Sequence, residues 1–166
     1  MIEIRTAAGA DIEAVAALFL RCWRGSYAGV LPARVMAVFD EASARDLWHQ
    51  ALGIPAAGML GFVAVAAERV VGIIRLGSDA EEPAAGHVLS LYIDPSMQGQ
   101  GVGGRLLREA DAWFRIAGMP EATLWVFAAN APALRFYASH GWHPDGGTRV
   151  EARFGEPEIR LRRAYG

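Results

Sequence analysis

With 166 residues, 53% of them hydrophobic, the chain is long enough to bury a core without disulfides or metal, so a disordered chain is excluded and a single domain spanning residues 1–166 is expected. A net charge of −2 gives no general attraction to nucleic acid or anionic lipid, and the lone cysteine, Cys22, excludes an internal disulfide and offers no thiolate metal site. The apolar stretches are too short to span a bilayer and residues 1–5 lack the layout of a signal peptide, so we expect a cytoplasmic protein with no metal and with neither nucleic-acid nor membrane partners.

Hydrophobic periodicity divides the first half of the chain into a strand, helices and a hairpin. The predicted elements are, in order, a strand at 2–5, a helix capped by Asp11 with Ile12, Val15, Ala16, Phe19 and Cys22 on one face, a loop at 24–32, one or two helices reaching about Leu52, and strands at 60–66 and 70–76. Ala67-Glu68-Arg69 joins the last two strands, which favours an antiparallel hairpin.

The second half predicts one strand–helix–strand crossover followed by a short helix and two strands. These elements are a strand at 87–93 stopped by Asp94-Pro95, a helix at 101–117, a strand at 122–127, a helix at 132–140, and strands at 150–154 and 158–162. Arginines alternate with apolar residues in the last two strands, which favours a solvated strand face over a nucleic-acid-binding stripe. The whole order is typical of a mixed α/β domain.

A glycine-rich turn, Gln98-Gly99-Gln100-Gly101-Val102-Gly103-Gly104, separates the strand at 87–93 from the long helix. Glycines let the backbone approach an anion closely and accept positive φ without a Cβ penalty. The free N–H groups of the first helical turn, with the helix dipole behind them, form a site for pyrophosphate. No acidic residue lies between Gln98 and Arg108 to repel such a ligand.

The glycine-rich turn also allows three other interpretations. Gly99-x-Gly101-x-x-Gly104 also matches the dinucleotide fingerprint, but an antiparallel sheet precedes it and the next strand ends Trp125-Val126-Phe127-Ala128 without a carboxylate, which disfavours an NAD-linked enzyme. A Walker A motif fails because Arg105-Leu106 follows Gly104 instead of Lys and Ser or Thr. A glycine turn without any ligand stays open, although so many glycines weaken a helix start.

Two motifs resemble the GNAT N-acetyltransferase superfamily. The stretch from Leu91 to Gly103 resembles its strand and pyrophosphate loop, and Asn130-x-x-Ala133-x-x-Phe136-Tyr137-x-x-x-Gly141-Trp142 resembles its second cofactor motif, which usually ends Gly-Phe. A less specific match, Trp23-x-x-x-Tyr27-x-Gly29-x-Leu31-Pro32, is similar to the substrate-side loop of many bacterial members. The resemblance covers essentially the whole chain. It implies a central mixed, mostly antiparallel sheet of about seven strands, splayed in the middle and flanked by about four helices.

The resemblance further implies an N-acetyltransferase that takes acetyl-CoA as cosubstrate. The implied cofactor-binding residues are Leu91, Tyr92, Ile93, Gln98, Gly99, Gln100, Gly101, Val102, Gly103, Gly104 and Asn130. The backbone of Leu91 and Ile93 would pair with the pantetheine arm, and the N–H of Leu91 would stabilise the tetrahedral oxyanion. Asn130 has an alternative role as a helix N-cap, which is compatible with the first.

Two residues are implied as catalytic. Tyr137 would protonate the departing CoA thiolate, unless it is a buried core tyrosine. His87 stands where many members of the superfamily carry a glutamate base, and histidine can serve because its ordinary pKa is ~6.5. A strand-end histidine and a water chain without a single base stay open, and weaker candidates for the base are Ser90, Glu41, Asp40 and His49.

The acceptor is the part of the reaction on which the sequence says least. Trp23 and Tyr27 form the wall of an acceptor pocket or simply pack their loop onto the core, and the acidic loop 79–82 attracts a cationic amine or is merely solvated. We expect a primary amine of a small molecule or a peptide as partner. A non-catalytic acyl-CoA-binding or sensing domain is the alternative function. Homodimers are common among similar proteins, and the sequence identifies no interface.

Overall fold

The fold is a seven-stranded sheet with helices on both faces, seen in a computed structural model that describes residues 1–54 and 56–166. The strands are β1 Ile2–Thr6, β2 Leu60–Ala66, β3 Arg69–Ser78, β4 Gly86–Ile93, β5 Glu121–Phe127, β6 His143–Glu151 and β7 Glu156–Ala164. The helices are α1 Ile12–Ser26, α2 Ala33–Met36, α3 Glu41–Leu52, α4 Val102–Ile116 and α5 Ala131–Ser139, with short 3₁₀ turns at Gly9–Asp11 and Pro95–Met97. The expected fold class is confirmed, with the four-residue α2 as an additional helix.

The strand order is β1-β2-β3-β4-β5-β7-β6, and every neighbouring pair is antiparallel except β4 and β5. Ala67 and Glu68 both adopt positive φ in the β2–β3 turn, a geometry that matches the twist of a tight hairpin. The β4–α4–β5 segment is the predicted crossover, since it joins the two parallel strands.

The two parallel strands separate after a short paired stretch. Only Gly86–Val88 pairs with Ala122–Leu124. On its other side β4 carries one extra residue, because Arg75 pairs with Ser90 and Leu76 with Val88. A bulge of this kind bends a strand and increases its twist. The splayed middle of the sheet therefore begins at the bulge and opens toward the carboxyl ends of β4 and β5.

A separate apolar core covers each face of the sheet. On one face α1, α2 and α3 pack their buried sides, including Phe19, Trp23 and Trp48, onto β2 and β3. On the other face α4 packs Leu106 and Phe114 against β3, β4 and β5, and α5 joins it through Tyr137. In the described part of the chain, no helix is long and apolar enough to cross a membrane.

The predicted N-cap position of Asp11 is confirmed without a side-chain capping bond, and the predicted range of one strand was wrong. Asp11 starts α1, but its carboxylate does not cap that helix, because it accepts hydrogen bonds from Arg5 at 2.7 and 2.8 Å and from the backbone N–H of Ala8 at 2.9 Å. Strand β6 begins at His143, before the expected start at residue 150, and ends at Glu151. An edge strand tolerates proline and glycine, so Pro144 and Gly146 did not exclude it.

The arginines of β7 do not form the solvated face that their alternation favoured. The side chains of Arg160 and Arg162 are only 17% and 21% exposed. Both pair with Glu82 and Asp145, and Arg162 also pairs with Glu121 at 2.6 Å. The acidic loop between β3 and β4 is therefore tied to the sheet by these arginines.

Candidate active site

The divergence of β4 and β5 creates a cleft of about 690 Å³. Its walls are the two strand segments beyond their last paired residues, and its ends are the glycine-rich turn and the carboxyl end of α1. The sequence-predicted residues that line it are Trp23, Tyr27, Leu91, Tyr92, Ile93, Gln98, Gly99, Gly101, Val102, Gly103, Gly104, Asn130 and Tyr137. Gln100 and His87 are outside this lining. Of the weaker candidates for the base, Ser90 lines the cleft, whereas Asp40, Glu41 and His49 do not.

The glycine-rich turn opens α4 toward the cleft. Gly99 and Gly101 have φ of 76° and 79°, which a side chain would strain. Gly101 is the N-cap and supplies no side-chain acceptor, so the N–H groups of the first turn of α4 lack intrahelical partners. These groups and the positive end of the helix dipole are available to an anion.

Gly103 and Gly104 have a second, structural role. Both are buried, and a Cβ on Gly103 would lie 2.9 Å from Cζ of Phe136, while one on Gly104 would lie 2.6 Å from Nε2 of His140. Phe136 and His140 belong to α5 and its end. The glycines therefore bring α5 against the start of α4, which places the next residue of α5, Tyr137, at the cleft.

The carboxyl end of α1 is fastened to the strand that leads into the turn. Nε of Arg21 donates to Asp94 at 3.0 Å, the Cys22 thiol donates to the carbonyl of Ile93 at 3.1 Å, and Gln98 donates to Ser26 at 2.9 Å. Asp94 also accepts from the N–H and hydroxyl of Ser96. These contacts hold the turn in one position relative to α1.

Tyr137 is 9% exposed and packs against Phe136 and Trp142, with ring centroids 5.2 and 6.3 Å away. Burial, followed by the influence of Tyr27, raises the pKa of the Tyr137 phenol well above its ordinary value. The phenol is therefore protonated at neutral pH. It is both part of the core and part of the cleft wall, so its burial is compatible with the predicted role as a proton donor.

Asn130 likewise has one certain structural role. Its side-chain oxygen accepts from the N–H of Ala133 at 3.2 Å and caps α5. Its side chain also lines the cleft. Gln100, in contrast, donates from Nε2 to the carbonyl of Ser96 at 3.0 Å, which stabilises the turn from outside the cleft lining.

The structure does not bring His87 to the cleft. Its Nδ1 lies 2.7 Å from Oγ1 of Thr123 and 3.4 Å from Asp79, on the paired part of β4. Thr123 in turn donates to Asp79. Burial lowers the pKa of His87, an effect that Asp79 partly opposes. This geometry fits the alternative of a strand-end histidine bonded to a loop and gives no support to His87 as a general base.

Four aromatic rings gather at the end of the cleft nearest α1. Trp23 lies 5.0 Å from Tyr27 and 5.2 Å from Phe154, and Phe127 lies 5.9 Å from Tyr27, measured between ring centroids. The indole Nε1 of Trp23 is buried and has no hydrogen-bond partner among the described residues. We call these four residues the aromatic wall.

Two carboxylates that sequence analysis missed, Glu151 and Glu158, line the same cleft. Glu158 is 7% exposed, pairs in register with Phe127, and accepts from Nε of Arg149 at 2.6 Å. Burial raises the pKa of Glu158 in spite of Arg149. The alternation of side chains in β7 predicts that Glu158 shares a face with Arg160. The pairing with β5 then places Glu158 opposite Phe127.

Known proteins share both the sequence pattern and the fold. The sequence matches the family model described as Acetyltransferase (GNAT) family over residues 12–142. The Probable N-acetyltransferase Rv2775 of Mycobacterium tuberculosis is 29% identical over 152 residues, which cover 89% of this chain and 83% of that protein. Spermidine N(1)-acetyltransferase of Thermoplasma acidophilum is 25% identical over 144 residues, covering 85% and 88% of the two chains.

A solved structure gives the same result for the fold. The PaiA N-acetyltransferase of Thermoplasma acidophilum, in complex with coenzyme A, is similar with a TM-score of 0.76 and 22% identity over 99% of both chains. The family model covers the glycine-rich turn and the Asn130–Trp142 motif together, and the predictions of the superfamily and of an acyltransferase are confirmed. The chain belongs to the acetyltransferase (GNAT) family.

Proposed function

We propose that the protein is an N-acetyltransferase that moves an acetyl group directly from acetyl-CoA to a primary amine of a small molecule or peptide. The observation that carries the proposal is one continuous cleft. It joins the start of α4 to Tyr137 along the part of β4 that no longer pairs with β5. Its volume of about 690 Å³ suits a ligand larger than a simple anion.

The backbone supplies most of the donor site. The diphosphate of coenzyme A would lie on the first turn of α4, where the N–H groups from Val102 to Gly104 are free of intrahelical bonds. The pantetheine arm would continue along Leu91–Ile93, adding a strand where β5 has moved away. Neither contact needs a charged side chain, which explains why the glycines are the strongest signal in the sequence.

The residues beside the thioester would then provide the chemistry. The N–H of Leu91 stabilises the negative oxygen that forms when the amine attacks the acetyl carbon. Tyr137 donates to the sulfur as the carbon–sulfur bond breaks. Cys22 is no rival nucleophile, because burial raises its pKa to about 12 and its thiol donates to Ile93. The state of this thiol supports direct transfer over an acyl-enzyme on Cys22.

Titration of the purified protein with acetyl-CoA and with NAD⁺ tests the donor site, and thiol release in the presence of an amine panel tests the transfer. We expect acetyl-CoA to bind and NAD⁺ not to bind, and at about 100 times its Kd acetyl-CoA should add ~2.7 kcal/mol to the free energy of unfolding. Binding without any amine-dependent thiol release would favour the sensing domain. No heat with any CoA thioester would refute the proposal.

A further inference from the structure

The end of the cleft beyond Tyr137 contains a buried carboxylate without an assigned role. Glu158 lies on β7 opposite Phe127, the last residue of β5. At this end of β5 the pairing with β4, which stops at Leu124, has already ended. Arg149 engages one oxygen, Oε2, and no described residue hydrogen-bonds to Oε1. Glu158 lines the cleft, so this free oxygen belongs to a carboxylate that an incoming ligand can reach.

We infer that Glu158 binds the ammonium group of a cationic alkylamine acceptor and takes the first proton that its nitrogen loses. This inference rests on the proposed acetyl transfer and assigns the proton acceptor that His87 does not supply. It also narrows the acceptor to amines that are protonated at neutral pH.

The surroundings of Glu158 favour a cation over any other ligand. Trp23, Tyr27, Phe127 and Phe154 form the aromatic wall of the same cleft, and the faces of such rings attract an ammonium group. Glu151 adds a second carboxylate to the lining. Glu158 pairs in register with Phe127, which places this carboxylate beside the aromatic wall, and its charge raises the pKa of Tyr27 after the larger effects of burial and of Cys22.

The charges that face Glu158 set how it holds a proton. They are Arg149 of β6, Glu151 at the end of β6 and Tyr27 after α1. Arg149 lowers its pKa and Glu151 raises it, while burial is the largest influence and raises it. A carboxylate with a raised pKa is a stronger base than an exposed glutamate, and it stays ionised above that pKa.

The transfer balances with Glu158 in this role. An ammonium nitrogen loses two protons in becoming an amide nitrogen. The first passes to the Glu158 carboxylate, which frees the lone pair to form the bond to the acetyl carbon. The carbon–sulfur bond then breaks, and the sulfur gains a proton from Tyr137. The second nitrogen proton restores Tyr137, and Glu158 releases its proton to solvent.

The substitution Glu158→Gln keeps the shape of the side chain and removes its charge and basicity. For an alkylamine acceptor at pH 7 we expect kcat/KM to fall by about 100-fold or more, the lower range for loss of a general base. The matched control is Glu156→Gln on the same strand, because Glu156 pairs with Arg34 at 2.7 Å and does not line the cleft. The control should retain wild-type kcat/KM.

Two comparisons separate this role from a structural one. The deficit of Glu158→Gln should shrink as the pH rises toward the pKa of the alkylamine, because more of the acceptor then arrives unprotonated. It should also be at least ten times smaller at pH 7 for an arylamine acceptor that is already uncharged. A deficit that is equal for both acceptors and constant with pH, or no deficit at all, would overturn the inference.

Titration with acetyl-CoA keeps the inference distinct from the proposed function. Glu158→Gln should bind acetyl-CoA with the wild-type Kd, because Glu158 lies at the acceptor end of the cleft. If wild type transfers acetyl groups while Glu158→Gln is fully active with alkylamines, only the inference fails. If wild type neither binds acetyl-CoA nor releases thiol, the proposed function fails first.

Discussion

Tyr137 combines a packing role in the core with its proposed role as proton donor to the sulfur of coenzyme A. Its ring belongs to the core under α4 and α5, and its edge reaches the cleft. Because the phenol is buried, its pKa is raised and the hydroxyl keeps its proton at neutral pH. A protonated group next to the thioester can assist a leaving sulfur, whereas an ionised one would oppose it by charge repulsion.

The substitution Tyr137→Phe tests this role because it removes the hydroxyl and keeps the ring. We expect kcat to fall by roughly 10²–10⁴-fold, with the Kd for acetyl-CoA nearly unchanged. Steady-state kinetics and calorimetry measure the two quantities. Tyr165→Phe is the matched control, since the Tyr165 hydroxyl donates to Asp111 at 2.9 Å outside the cleft and its loss should leave kcat at the wild-type value. A Tyr137→Phe enzyme within twofold of wild-type kcat would remove the phenol from the mechanism.

The residues of the acetyl-CoA end of the candidate site were more predictable from the sequence than those of the acceptor end. The glycines and Asn130 form short motifs, so their positions follow from local spacing. Glu158 is brought to the cleft by the pairing of β7 with β5, which are separated by a helix and another strand. The predicted role of His87 as a base gains no support, because its ring bonds to Thr123 and His87 does not line the cleft.

At the scale of the elements, the part of β4 that pairs with β5 and the part that pairs only with β3 have different roles. Gly86–Val88 closes the sheet against β5, and the residues after the bulge form the cleft wall. The closed end depends on a close approach, since a Cβ on Gly86 would overlap the ring of Phe114 on α4. Phe114 is fully buried and has little room to move.

The substitution Gly86→Ala should therefore destabilise the protein by about 1–3 kcal/mol, the usual cost of overpacking a core. Denaturant unfolding followed by tryptophan fluorescence gives this free energy. Gly9→Ala is the control, because a Cβ there would meet no atom within 4 Å, so its unfolding free energy should stay within about 0.5 kcal/mol of wild type. Equal stability of the two variants would show that α4 does not approach β4 as closely as described.

The elements were predictable wherever one periodicity extended over many residues. Helix α4 and strands β2 to β5 match the expected ranges to within a few residues, because each contains several buried apolar residues that mark it in the sequence. β6 differs, since it is an edge strand with nearly all its residues exposed or half-exposed and lacks the alternation that marks a buried face. Its Pro144, Gly146 and Gly147 are typical of a loop, so only the pairing with β7 makes it a strand.

At the scale of the whole molecule, ion pairs join elements that lie outside the two apolar cores. The loop before β4, the start of β5, the start of β6 and the middle of β7 are joined by Arg162, which contacts Glu82, Glu121 and Asp145 at 2.6 to 3.0 Å. Arg160 and Arg162 lie on the face of the sheet that carries Trp125. The guanidinium groups of Arg149 and Arg160 lie over the Trp125 ring. Ion pairs thus tie β5, β6 and β7 to the loop before β4.

The substitution Arg162→Met tests this support, since it keeps much of the apolar stem, removes the cation that pairs with Glu121 and leaves Glu82 and Asp145 with Arg160 alone. We expect the free energy of unfolding at pH 7 to fall by about 1–3 kcal/mol. Burial alone would raise the pKa of Asp145, but Gly147, Arg162 and Arg160 together hold it below its ordinary value, and the pKa of Glu82 is lowered chiefly by Arg162. A lowered carboxyl pKa stabilises the fold above the ordinary pKa and loses this effect as the pH falls through the lowered one.

The difference between Arg162→Met and wild type should therefore be largest near neutral pH and shrink as the pH falls below about 4, where carboxylates take up protons in both proteins. Urea unfolding at a series of pH values measures it. Arg135→Met is the control, because Arg135 is exposed on α5 and forms no ion pair within residues 1–54 and 56–166, so its unfolding curve should follow wild type at every pH. A deficit of Arg162→Met that is constant across this range would mean that the arginine stabilises the sheet through the packing of its stem and not through its charge.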